Sequence, residues 1–160
     1  DPIESLIEIY RDYLTDHQKE MLLEIDNVLS SEGANVEQIV LDLESIKEKT
    51  NSLPTEEAEL VLIGLEIGIA SVNYWSENLE EWVSVISPNS NQDARINDWF
   101  SWGDVAGSDV AGAVGGAVGA VVVNVVPGLG QVSYAGAIVG GGVGASAANA
   151  VKQVWDKATK

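Results

Sequence analysis

The chain has 160 residues, 46% of them hydrophobic, no cysteine, and a formal net charge of −17. That length can bury a core and that hydrophobic content excludes a disordered tail, while the missing thiols exclude disulfides, zinc–thiolate sites and cysteine nucleophiles. Residues 1–98 carry 22 acidic and 5 basic side chains and residues 99–160 carry three of each, so an acidic part precedes a neutral one, and such a surface repels nucleic acid and anionic lipid.

Residues 3–30 predict one long amphipathic helix. Ile3, Leu6, Ile7, Tyr10, Tyr13, Leu14, His17, Met21, Ile25, Val28 and Leu29 recur at three- and four-residue steps, opposite an acidic row of Glu4, Glu8, Asp12, Asp16, Glu20 and Glu24. Asp1-Pro2 suits a helix start, and Gly33 suits a C-terminal cap. Asn35 opens a second helix, with Gln38 as its capping-box partner. Val36, Ile39, Val40, Leu43 and Ile46 form its inner face, and Thr50 to Pro54 break it. The short connection predicts an antiparallel pair.

A third helix is predicted from Thr55 to Ile86. Glu56, Glu57 and Glu59 load its first turn, where the helix dipole favours anions. Its middle, Leu60 to Val72, is apolar apart from Glu66, and Gly64 and Gly68 stand four residues apart. These two glycines are expected to make the closest contact with the C-terminal part. Trp75, Leu79, Trp82 and Ile86 continue one stripe that reads as core. Residues 87–98, SPNSNQDARIND, are polar and without period, and read as a linker.

Trp99, Phe100 and Trp102 follow. This cluster suits either an interface between apolar and wet surroundings or a plug closing the core. Ser101 with Asp104 reads as a capping box for a fourth helix, Asp104 to Val126. Gln131 to Lys157 predicts a fifth, and Pro127-Gly128-Leu129-Gly130 is the turn between them. Each would be about 30 Å long or more, enough to cross a bilayer core.

Thirteen of the sixteen glycines lie between Gly103 and Val151. Gly107, Ala111, Gly115 and Gly119 keep a four-residue step, with Gly112 and Gly116 as a parallel row; Gly136, Gly140 and Gly144 repeat the step. Four-residue spacing puts small residues on one helix face, where another backbone can approach closely. Some ten glycines cost on the order of 10 kcal/mol of helix propensity, and Val121, Val122, Val123, Val125 and Val126 are strand formers. The spacing has no meaning at a strand's period of two, so helices are predicted, stable only against the acidic helices, a bilayer or other copies of the chain.

Chemistry is sparse. Gly128-Leu129-Gly130 lacks the third glycine of a dinucleotide loop, since Ser133 occupies it, and no P-loop lysine follows any glycine. His17 is the only histidine and reads as a boundary or core residue. No ExxH pair offers a di-metal bundle. Glu66 reads as a rim residue, and Asp109 and Asn124 as polar interruptions of the fourth helix. No catalytic residue, metal site, cofactor or small-molecule substrate emerges.

The GAVGGAVGA run, the PGLG turn and the GAIVGGGVGASAANAV run, together about the C-terminal third, resemble the glycine-zipper hairpins of class II-type bacteriocins and related bacterial proteins. The resemblance implies an exported protein with a membrane-docking hairpin, with Gly112, Gly116, Gly136, Gly140 and Gly144 as packing positions. Such bacteriocins are short and often cationic, whereas this chain adds an acidic region. The expectation is an all-α fold of three acidic amphipathic helices (1–86), a linker (87–98) and a glycine-zipper helical hairpin (99–160), packed as one unit. Its expected partners are lipid, another protein or a second copy. The alternative is an interaction module in which the glycines only tighten the core.

Overall fold

The computed structural model describes residues 1–31, 33–86, 99–125, 137 and 149–153. The linker 87–98, the Pro127–Gly130 turn, most of the predicted fifth helix, and Gly136, Gly140 and Gly144 lie outside the described residues. The fold is all-α, with no strand among the described residues. Five helices run in order: α1 Pro2–Ile9, α2 Asp16–Leu29, α3 Val36–Thr50, α4 Thr55–Ile86 and α5 Trp102–Val125. Residues 149–153 are also helical.

The predicted helix 3–30 is two helices, a correction with a local cause. The Asp1 carboxylate accepts from the Ile3 and Glu4 amides (2.8 and 3.1 Å) and opens α1. The chain then turns at Tyr10, whose carbonyl accepts from both Tyr13 and Leu14. Thr15 sits in extended backbone and starts α2 with a complete capping box. Its hydroxyl accepts from the Gln18 amide at 3.2 Å, and Gln18 Oε1 accepts from the Thr15 amide at 3.0 Å. Two donors satisfied at once outweigh the apolar period that runs on through Tyr13 and Leu14. The break lets Ile3 and Leu6 turn toward α5 while Leu22, Ile25 and Leu29 fill the centre.

α2 ends at Ser30, and Gly33 lies beyond it, in the loop, with φ +73°. Asn35 caps α3 through the Gln38 amide at 2.8 Å, but the Gln38 side chain donates to Asp42 rather than returning to Asn35, so half of the expected box forms. α3 runs antiparallel to α2: Lys49 reaches Glu24, while Asp42 and Ser45 lie beside Asn27 and Val28.

α4 has the predicted bounds and is the longest of the five described helices. It runs antiparallel to α5, since Gly64 faces Val114 and Val110 while Gly68 faces Val110. α1 lies parallel to α5, with Ile3 near Gly107 and Tyr10 near Gly115 and Gly119. Among the described helices, α5 is touched by α4, α1 and α2. Its Val105, Ala106, Val110, Ala113, Val114, Ala117 and Val118 are all buried. A helix this apolar, interrupted chiefly by Asp104, Asp109 and Asn124, belongs in a largely buried position.

Candidate functional site

The part of the molecule with functional potential is the contact of small residues at the centre. Gly64 and Gly68 form a notch on α4. A Cβ placed on Gly64 would lie 3.1 Å from Val114 Cγ2 and 3.3 Å from Val110 Cγ1, and one on Gly68 would lie 3.0 Å from Val110 Cγ2. The two valines of α5 thus fill the space that side chains would take on α4. Close approach of this kind gains dispersion contact along the backbone, which offsets the propensity cost of glycine.

Three glycines of α5 itself face another helix. Gly107, Gly115 and Gly119 turn to α1, where Ile3, Leu6 and the Tyr10 ring cover them. A Cβ on Gly115 would meet Leu6 at 3.2 Å and Tyr10 at 3.4 Å. Gly112 and Gly116 lie on α5 and are half-buried. Helix α5 thus presents a valine edge to α4 and a glycine edge to α1. Sequence spacing found the glycine row and matched Gly64 and Gly68 to the C-terminal part, but it singled out neither the valine edge nor α1 as the partner of the glycine row.

The start of α5 is tied by four residues, Ser30, Ser101, Asn149 and Gln153. Gly103 lies against Ser30 at the end of α2, at 2.5 Å between a would-be Cβ and the Ser30 hydroxyl. Ser101 caps α5 through the Asp104 amide at 3.1 Å. The reciprocal half of the expected box comes from elsewhere, because Gln153 Oε1 accepts from the Ser101 amide at 2.8 Å. Asn149, one turn earlier on the same helical segment, donates to the Ser108 hydroxyl (2.7 Å) and the Asp104 carbonyl (3.2 Å). Gln153 and Asn149 were not singled out in the sequence; their four-residue spacing was the only available signal.

Beside this cap lies the aromatic cluster. Phe100 is 5% exposed and Trp102 7%. Their ring centroids are 4.9 Å apart, and Phe100 stands 6.4 Å from the buried Trp75. The reading of Trp99, Phe100 and Trp102 as an exposed interface gives way for the last two, which plug the core; Trp99 is half-buried and packs edge-on against Phe100. Trp75 is core as expected, and Trp82 is half-buried beside it.

Charge lies outside. Glu4, Glu8, Asp12, Asp16, Glu20, Glu37, Glu44, Glu48, Glu56, Glu59, Glu66, Glu77, Glu80 and Glu81 are exposed. Asp26 is the exception within the acidic helices: it is 8% exposed, and its Oδ1 has no hydrogen-bond partner among the described residues. Burial, and then the charge of Glu4, push its pKa above the ordinary aspartate range. Asp109 is buried on α5. His17 is not a core residue, because its side chain is 66% exposed and Nδ1 sits 3.0 Å from Glu57 Oε2; the α1–α2 break rotated it out of the predicted stripe. Glu66 lies at the rim, where the Lys47 ammonium donates to it at 2.8 Å and is held protonated above the usual lysine range.

Among the described residues, one helix, Thr55–Val85, is long and apolar enough to cross a membrane, and 44% of its apolar window is buried in the fold. No group of His, Asp and Glu among the described residues is arranged to hold a metal ion. No protein-family model, curated protein or solved structure matches the chain.

Proposed function

We propose that this chain is an exported, membrane-interacting, bacteriocin-like protein whose acidic helices keep a small-residue helical hairpin in solution until lipid replaces them. One observation carries the reading. α5 has no charged side chain from Val110 to Val125, and it is enclosed by α1, α2 and α4, whose carboxylates, Asp26 apart, lie toward the surface. The enclosure is made through glycine notches and aliphatic knobs. These contacts are apolar and short, and a helix that leaves them exposes, from Val110 to Val123, only side chains that lipid accepts. Protonation of the surface carboxylates weakens the coat's hydration and its repulsion from anionic membranes. The reading is non-enzymatic.

The test is release of a trapped dye from anionic liposomes, from neutral down to mildly acid pH, before and after a protease cut placed in residues 87–98. Release that rises on acidification or cutting supports the proposal. No release under any of these conditions sinks it. The second reading, an interaction module with a tight core, is favoured by a specific observation: the described glycine faces are already filled from within the chain by Val110, Val114, Ile3 and Leu6.

A further inference from the structure

We propose that the outer face of α4 is a docking groove for a cationic amphipathic helix. This inference is independent of the membrane reading. The middle of α4 is apolar on more sides than the described residues cover. Val61, Leu65 and Ile69 are buried, whereas Leu62, Ile63 and Ile67 are only half-buried. Those three, with Ala58 and with Leu53 from the turn after α3, form the floor of an open groove of about 530 Å³. Their spacing along α4 makes the floor a continuous stripe, the shape that receives the i, i+3, i+4, i+7 side chains of a partner helix.

Charge selects the occupant. Glu59 and Glu66 flank the floor, seven residues and so about 10.5 Å apart along the axis. Lys47 bonds both Glu66 (2.8 Å) and Glu44 (3.5 Å), so one cation stands among three carboxylates and the rim keeps a negative surplus. A second copy of this chain brings a net charge of −17 to the same place, and anionic lipid brings the same sign; both are repelled. A helix with a leucine stripe between Lys or Arg residues seven positions apart matches the floor and the rim together.

The test uses the whole chain and a labelled synthetic peptide of that pattern, followed by fluorescence anisotropy at low and physiological salt. Saturable binding is expected. Leu62→Ser with Ile67→Ser weakens it roughly tenfold or more, as loss of two apolar contacts requires. Glu59→Gln with Glu66→Gln weakens it and flattens its salt dependence; Glu8→Gln with Asp12→Asn, equal charge removed from an exposed site elsewhere, leaves it unchanged. If the serine pair lowers the melting temperature, the exposed glutamine pair decides. Failure to saturate, indifference to the groove substitutions, or equal sensitivity to Glu8 and Asp12 overturns the proposal. Capture of neutral phosphatidylcholine vesicles that the same groove substitutions abolish, without peptide binding, assigns the face to lipid and overturns it too.

Discussion

Alanine at Gly64 and alanine at Gly107 should move stability in opposite directions, although both glycines are helical and belong to four-residue rows. In each case the helix gains about 1 kcal/mol of propensity. At Gly107 the new methyl meets, among the described residues, only the Ile3 side chain at 4.0 Å, an ordinary contact, so most of that gain survives. At Gly64 the methyl arrives 3.1 Å from Val114 and 3.3 Å from Val110. Both valines are fully buried and held in one rotamer by their β-branch, so neither yields by rotation and the helices must separate. Overpacking of this kind costs about 1–3 kcal/mol. Gly64→Ala is therefore net destabilising by about 1 kcal/mol, and Gly107→Ala stabilising by up to about 1 kcal/mol. Urea unfolding followed by far-ultraviolet circular dichroism and by tryptophan fluorescence measures both. Val114→Ala should rescue part of the Gly64→Ala loss, with a coupling of about 1 kcal/mol. The notch argument fails if Gly64→Ala stabilises as much as Gly107→Ala, or if Val114→Ala and Gly64→Ala are simply additive.

Asp26 should give the fold a pH dependence of unusual sign for an aspartate. Its pKa is raised in the native state, so the native protein binds that proton more tightly than the unfolded chain, and stability falls as pH rises from the ordinary value of 3.8 through the native one. Asp26→Asn should raise the urea midpoint at neutral pH and leave it unchanged below that ordinary value; a gain that persists in acid refutes the burial argument. Thr15→Ala removes the capping box between α1 and α2 and should cost about 1 kcal/mol, measured by urea unfolding. Gln153→Ala leaves the Ser101 amide without its acceptor and should cost about 1–3 kcal/mol. Amide exchange by NMR should accelerate at Ser101 and Asp104 while Leu22 and Leu43 keep their protection.

The bounds of α4 and the caps at Asn35 and Ser101 were legible because helix ends are set by local chemistry: Pro54, an acidic first turn and short polar side chains. The α1–α2 break was equally local and was still missed, since Thr15 and Gln18 spell a capping box inside an apolar period that runs on without interruption. Periodicity shows which residues can share a face and not whether the backbone continues between them. The fate of Phe100 and Trp102 was beyond local reading. An aromatic cluster suits a wet interface or a core equally, and the choice was made by Trp75, some 25 residues earlier. The same holds for the glycine rows. Their spacing announced close packing, and the expectation that Gly64 and Gly68 meet the C-terminal part holds, but only the fold assigns Gly107, Gly115 and Gly119 to α1.

The shared cap of α5 bears on the order in which the chain acquires its structure. The amide of Ser101 waits for a side chain 52 residues further on. During synthesis from the N-terminus, α1 to α4 are complete, and α5 has emerged, before its first turn can be sealed. Closing so long a segment costs entropy that grows only with the logarithm of its length, yet it places this contact among the slow, non-local ones that limit folding rate. A nascent chain thus passes through a stage in which its most apolar helix is made and incompletely fastened, when a chaperone or a bilayer surface meets it on better terms than the finished protein ever offers.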